Sequence, residues 1–146
     1  MKTKSFLSEI DQPRIVKAIA EAETSTSGEI RVWVSDRNRP NALEAARSRF
    51  LRLKMDHTRH HNAVLIFVAP RSRSFAVVGD VGIDAKVGGQ FWSEVRDAMK
   101  GHLRGGKYTE AILHAVTTAG LRLAEHFPPD ADGRDRNELP NDIIVD

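Results

Sequence analysis

Ala63-Val64-Leu65-Ile66-Phe67-Val68-Ala69 is the longest unbroken apolar run in the chain, and Pro70-Arg71-Ser72-Arg73 and then Ser74-Phe75-Ala76-Val77-Val78 follow it directly. A strand with one wet face alternates polar and apolar residues, so an uninterrupted run predicts a strand covered on both faces. The polar tetrapeptide supplies a turn, and the second run returns as its antiparallel partner. The hairpin ends in Gly79-Asp80-Val81-Gly82-Ile83-Asp84, where two glycines surround a carboxylate and permit backbone angles that other residues resist.

Upstream, Glu29-Ile30-Arg31-Val32-Trp33-Val34 alternates, which puts Ile30, Val32 and Val34 on one face and Arg31 and Trp33 on the other. Between the two runs, Asn41 and Glu44 have capping-box spacing, and Leu43, Ala46, Phe50 and Leu53 recur at helical intervals. Strand, helix and strand in that order predict a parallel pair with a right-handed crossover. Ahead of them, Ser8-Glu9-Ile10-Asp11 caps a helix whose apolar stripe is Ile15, Ile19 and Ala22 with Val16 and Ala20. Arg14, Lys17, Glu21 and Glu23 face away from that stripe, and Thr24-Ser25-Thr26-Ser27-Gly28 stops the helix.

After the hairpin, Asp84 or Gly89 starts a helix carrying Phe91, Val95 and Met99, which ends in the turn Gly101–Lys107. Tyr108 or Thr109 opens the last helix, with Ile112, Val116, Ala119, Leu123 and Phe127 at helical spacing and Pro128-Pro129 as its stop. The expected fold is α/β: a three-layer α/β/α sandwich around a small mixed β-sheet with a central β-hairpin. Residues 6–129 form the domain and 130–146 a polar tail, in which 143–145 either docks as an edge strand or stays loose.

A chain of 146 residues suits one domain. Without cysteine it has no disulfide, thiolate zinc site or cysteine nucleophile, which agrees with a reducing compartment, and the expected location is cytoplasmic. No membrane span is expected, because the central run is far shorter than the roughly 20 apolar residues a helix needs to cross a bilayer. No apolar secretory core follows the basic start. Net charge is only +2, and the arginines of the first half accompany no base-reading motif, so nucleic acid is a disfavoured partner. The glycine segment lacks both the phosphate-loop lysine and the three-glycine dinucleotide pattern, which disfavours ATP and NAD. His57, His60 and His61 complete no zinc spacing.

Strand direction makes the candidate site. If the first two strands are parallel and the third returns, Glu29, Asn62 and Asp80 reach one edge of the sheet, with Asp84, Asp56, Thr58 and Arg59 nearby. Hard cations such as calcium and magnesium favour oxygen ligands, so Glu29, Asn62, Asp80, Asp84 and Asp56 are the candidate metal residues. Such an ion polarises a phosphoryl oxygen and activates water; Asp80 and Arg59 are the candidate catalytic residues, Arg59 as the phosphate neutraliser. Each residue also has a plain structural use: Asp80 in the glycine turn, Asp84 as a helix cap, Glu29 at a strand end, Asn62 in a loop.

Thr26-Ser27-Gly28-Glu29-Ile30-Arg31-Val32, Met55-Asp56-x-Thr58 leading to Asn62–Phe67, Phe75–Asp80-x-Gly82-Ile83 and Leu123-x-x-x-Phe127-Pro128 together resemble the TPM domain family, over about residues 6–129. The tail segment Asn137-Glu138-Leu139-Pro140 is similar to that of short stand-alone members. The resemblance implies a compact α/β/α domain, divalent-ion binding and acid-phosphatase-like chemistry, with Glu29, Asn62, Asp80, Asp56 and Asp84 as the residues concerned. His61 stands where the family pattern has arginine, and Ala63 where glycine is common. Two functions are carried forward: a metal-dependent phosphomonoester hydrolase, and a noncatalytic domain that binds a metal or a protein partner.

Overall fold

The computed structural model describes residues 8, 10–130 and 141–146. Residues 6–7, Glu9 of the expected first cap and the tail segment Asn137–Pro140 lie outside the described residues. Strands β1 (Glu29–Val34), β2 (Ala63–Ala69), β3 (Ser74–Gly79) and β4 (Ile144–Val145) form one sheet in the order β3-β2-β1-β4. β1 runs parallel to β2 with Glu29 opposite Ala63, β3 returns antiparallel with Gly79 opposite Val64, and β4 is parallel to β1 with Ile144 opposite Trp33. Among the described residues the longer helices are α1 (Gln12–Glu23), α2 (Ala42–Arg52), α3 (Val81–Arg104) and α4 (Tyr108–His126). None of the described helices is long and apolar enough to cross a membrane.

Every residue of β2 is buried, as the unbroken run predicts, and so is every residue of β1, because helices cover both faces of the sheet. Ile30, Val32 and Val34 of β1 and Val64, Ile66 and Val68 of β2 pack with Ile15, Ile19, Val95, Met99, Ile112 and Val116 from α1, α3 and α4. Trp33, Leu65 and Phe67 point to the opposite face and pack with Ala42, Ala46 and Phe50 of α2 and with Met55. The period of two along the strands therefore divides the interior into two cores, and the result is the expected three-layer α/β/α sandwich. Each large side chain so buried contributes about 1.5–3 kcal/mol relative to exposure.

Local chemistry explains the helix limits. Asp11 caps α1 by accepting the Arg14 N–H at 3.1 Å, and Pro13 sits in the first turn, where its missing N–H costs little. On this helix Ala18 packs against the core, whereas Ala20, expected in the stripe, is exposed. Asn41 caps α2 through the Glu44 N–H at 3.3 Å, and the Glu44 carboxylate accepts in return from the Asn41 side-chain amide at 2.9 Å. On α2 Ala46 and Phe50 are buried and Leu53 packs against the core as expected, but Ala42 takes the place of Leu43, which is 41% exposed.

Helix α3 starts earlier than Asp84 or Gly89. Asp80 caps it, accepting the Val81 N–H at 2.8 Å, and Gly88 breaks it at φ 75°, ψ 168°, a conformation that glycine adopts without a Cβ clash. Two apolar patterns are thus joined: Ile83 is buried ahead of the kink, and Trp92, Val95 and Met99 are buried after it. The helix runs on through Arg104, so the turn that follows is shorter than expected.

The tail docks. Asp146 N–H donates to the Val34 carbonyl at 3.2 Å, and its carboxylate pairs with Arg49 and lies 4.0 Å from Arg39. Both guanidinium groups sit over the Trp33 ring, at 4.3 Å and 5.0 Å, and Trp33 stacks on Phe67 with centroids 4.0 Å apart. Burial alone would raise the Asp146 carboxyl; polar contacts with Ser35 and Trp33 and the charges of Arg49 and Arg39 outweigh it and hold the group below its ordinary value.

Two predictions concern stability. A folded value below the unfolded one gives Asp146 a contribution that is present above the unfolded value, near pH 4, and is lost as pH falls through the folded value. Asp146→Asn should therefore lower unfolding free energy by about 1 kcal/mol at pH 7 and by less at pH 3, as read by urea titration. An equal deficit at both values would mean that the charge is not what matters. At Gly82, an added Cβ would meet the His61 and His60 carbonyl oxygens at 2.4 Å and 2.5 Å, whereas at Gly101 it would meet nothing within 4 Å. Gly82→Ala should destabilise by about 1–3 kcal/mol through overpacking, and Gly101→Ala should stabilise by about 0.5–1 kcal/mol through helix propensity. Melting temperatures that shift in the same direction would contradict this pair.

Candidate functional site

The strand register assembles one edge from three distant parts of the chain. Glu29 opens β1 opposite Ala63, Asn62 precedes β2, and Asp80 follows β3 with its N–H donating to the Ala63 carbonyl at 2.9 Å. Glu29 is 2% exposed, Asn62 0% and Asp80 7%, so all three are polar groups taken out of water and must be satisfied there. The backbone behind them is tightly stitched. Ser27 N–H donates to the Phe127 carbonyl at 3.0 Å, the Thr26 hydroxyl donates to the same oxygen, and Gly28 N–H donates to Thr26 Oγ1 at 3.0 Å. Gly28 has to be small, since a Cβ there would lie 2.7 Å from a Leu123 methyl. The Asn62 amide then donates to Ser27 Oγ at 3.2 Å, which ties the start of β2 to the turn before β1.

That bond turns the Asn62 carbonyl oxygen the other way. Asn62 Oδ1, Thr58 Oγ1 and Asp56 Oδ1 are all buried without a hydrogen-bond partner among the described residues, and all belong to the segment that leads into β2. Asp56 Oδ1 lies 3.7 Å from His57 Nε2, and His61, at φ 51°, closes a turn by donating its N–H to the Thr58 carbonyl at 3.3 Å. Amide, hydroxyl and carboxylate oxygens are hard donors, the type that calcium and magnesium prefer to nitrogen or sulfur.

Glu23 was not expected here. It was placed on the outer side of α1, yet its Oε2 accepts the Ile30 N–H at 2.8 Å and its carboxyl is in hydrogen-bond contact with that of Glu29. Burial is the largest influence and pushes the Glu23 carboxyl up to about 7, against the lowering effect of the Ile30 and Glu29 bonds. Burial thus favours the neutral form of the Glu23 carboxyl. The sequence signal was the short turn between the helix end at Glu23 and the strand start at Glu29, which returns the chain onto itself.

Several candidate side chains have partners of their own. Asp80 Oδ1 caps α3, and its Oδ2 is 3.3 Å from His61 Nδ1. Asp84 accepts the Trp92 indole N–H at 2.7 Å and lines a cavity of about 340 Å³ with Arg47 and Arg96. Arg59 pairs with Asp130 at 3.4 Å, and His60 Nε2 is 2.7 Å from the same carboxylate. Among the described residues no three His, Cys, Asp or Glu side chains gather closely enough to hold a metal ion. A cation at this edge would thus draw on at most two of the carboxylates Glu29, Asp80 and Asp56, together with the amide and hydroxyl oxygens of Asn62 and Thr58.

The comparisons with known proteins agree with this architecture. The sequence model of the TPM domain family, labelled TPM_phosphatase, matches residues 1–121. The fold is similar to that of the BA42 protein from the psychrophilic bacterium Bizionia argentinensis, determined by NMR, with a TM-score of 0.82, 37% sequence identity and 92% of each chain covered. No curated protein matches. With the family match spanning most of its length, and with the residues that carry the resemblance forming one stitched edge of the sheet, the chain belongs to the TPM domain family.

Proposed function

We propose that the edge formed by Glu29, Asn62 and Asp80 holds a hard divalent cation, calcium or magnesium, and that the protein hydrolyses phosphomonoesters there. The observation that supports this reading is the set of buried acceptors Asn62 Oδ1, Thr58 Oγ1 and Asp56 Oδ1, which no donor among the described residues meets. Leaving a buried acceptor unmet costs about 1–3 kcal/mol, and a cation ends that cost for several oxygens at once. When bound, the cation supplies positive charge for a phosphoryl oxygen and makes water a better nucleophile. The chain's own residues do the rest. Glu23, its carboxyl pushed up to about 7, exchanges a proton near neutrality beside Glu29, Asp80 fixes the start of α3 beside the edge, and Arg59, 48% exposed and next to Thr58 in the chain, is the cation assigned to a phosphate.

A second reading has its own support. The Arg59–Asp130 pair and the use of both Asp80 oxygens leave these two candidate catalytic groups occupied, which favours a noncatalytic domain that binds a cation or a protein partner.

Titration of metal-free protein with calcium and with magnesium should move the amide resonances of Glu29, Thr58 and Asn62 together. Glu29→Gln should weaken binding by about 10–100-fold, and Asp80→Asn should keep the fold, because asparagine caps a helix as well as aspartate does, while also lowering affinity. Unmoved resonances would end the cation reading. Cation-dependent turnover of p-nitrophenyl phosphate that is lost in folded Glu29→Gln would support the hydrolase, and binding without turnover would leave the noncatalytic domain.

Glu23 adds a pH prediction for metal-free protein. Its folded value of about 7 lies above the ordinary 4.5, so stability is fully present below the ordinary value and declines as pH rises through the folded one. Urea unfolding of the wild type should show this decline between pH 5 and pH 8. Glu23→Gln, which still offers an oxygen to the Ile30 N–H, should not show it.

A further inference from the structure

At the end of the sheet opposite the acidic edge, a cavity of about 690 Å³ opens between the β2–β3 turn and the end of α3. Its walls are largely apolar, with Pro70, Phe75, Leu103 and Tyr108 among them, and Arg73, Lys100 and Arg104 stand round it with no acidic residue in the lining. Among the described residues none of these three cationic side chains has an ion pair or hydrogen bond. The volume lies within the roughly 300–1,000 Å³ of small-molecule sites, and the position, beyond the carboxyl end of a parallel strand, is where open α/β sheets place ligands.

A purely structural account covers part of this. Lys100 and Arg104 occupy the last turns of α3, where positive charge meets the negative end of the helix dipole. They are also four residues apart, a spacing at which like charges repel. Arg73 comes from the hairpin turn on the other side and is held at φ 52°, a region that non-glycine residues visit seldom. The helix end gives no reason for this third cation to share the cavity. An anion between the three relieves their mutual repulsion, and the apolar walls remain to be covered by whatever carries it.

We propose that this cavity binds a small aromatic phosphate, with its dianionic group against Arg73, Lys100 and Arg104 and its ring against Phe75, Leu103 and Tyr108. Two guanidinium forks and an ammonium match a phosphate dianion better than a single carboxylate. The site is independent of the acidic edge and of any turnover there.

Phenylphosphonate, whose carbon–phosphorus bond is not open to phosphomonoester hydrolysis, is the probe, added to metal-free protein and followed by amide resonances. Shifts should appear at Arg73, Ser74, Phe75, Leu103, Arg104 and Tyr108. Binding should be at least about tenfold tighter than for inorganic phosphate or for benzoate, the first comparison testing the apolar wall and the second the dianion. Lys100→Glu and Arg104→Glu, both at exposed positions, should each weaken it by about tenfold or more without loss of folded resonances. Equal affinity for inorganic phosphate and phenylphosphonate would overturn the aromatic part, and equal affinity for benzoate the phosphate part. Shifts confined to Glu29 and Thr58–Asn62, unchanged affinity in both variants, or no shift up to about 20 mM would overturn the site itself.

Discussion

The pairing of Ala63 with both its neighbours is the constraint on which the rest depends. Its strand must lie parallel to β1 on one side and antiparallel to β3 on the other, and only this combination brings a strand start, a strand approach and a strand end to one place. A slip of one residue in either ladder would exchange the two cores, sending Leu65 and Phe67 toward α4 and Val64 and Ile66 toward α2. The hydrophobic effect thus enforces the register, and the register positions the polar edge. Stability and site are consequences of the same alternation.

Much of this was legible in the residues because it depends on short-range pattern. The unbroken run of β2, the alternation of β1 and the Asn41 cap are local signals with a direct steric or hydrogen-bonding cause, and the parallel pair follows from the helix that joins the two strands. What was not legible depended on tertiary contact. The kink at Gly88 joins two helical patterns that periodicity reads as separate, and the row on α2 shifted from Leu43 to Ala42 because the sheet, not the moment of the sequence, chooses the face. Docking of residues 143–145 is not legible in the sequence, since a three-residue apolar segment has no pattern of its own; Arg49, Arg39 and Trp33 decide it.

The candidate site divides in the same way. The meeting of Glu29, Asn62 and Asp80 at one edge follows from strand direction alone, and the register contains it. Side-chain engagement does not follow from topology: Asp84 turned to Trp92, Arg59 to Asp130, and Glu23 came in from a helix face that looked solvated. A carboxylate is drawn to whichever donor lies within reach, and several donors lay closer than a shared ligand would. The two ends of β2 consequently differ in sign, with carboxylates and acceptor oxygens at its beginning and uncompensated cations near its close.

The short return of β4 has a colloidal consequence. Two residues of tail occupy the ladder of β1 beside Trp33 and Val34, on a strand whose side chains are apolar apart from Glu29 and Arg31. A strand of that character, once bared, is a template for another chain, and recruitment of a second molecule grows with concentration. A few hydrogen bonds and one carboxylate between two arginines therefore keep that part of the strand edge paired, although they add little to the depth of either core.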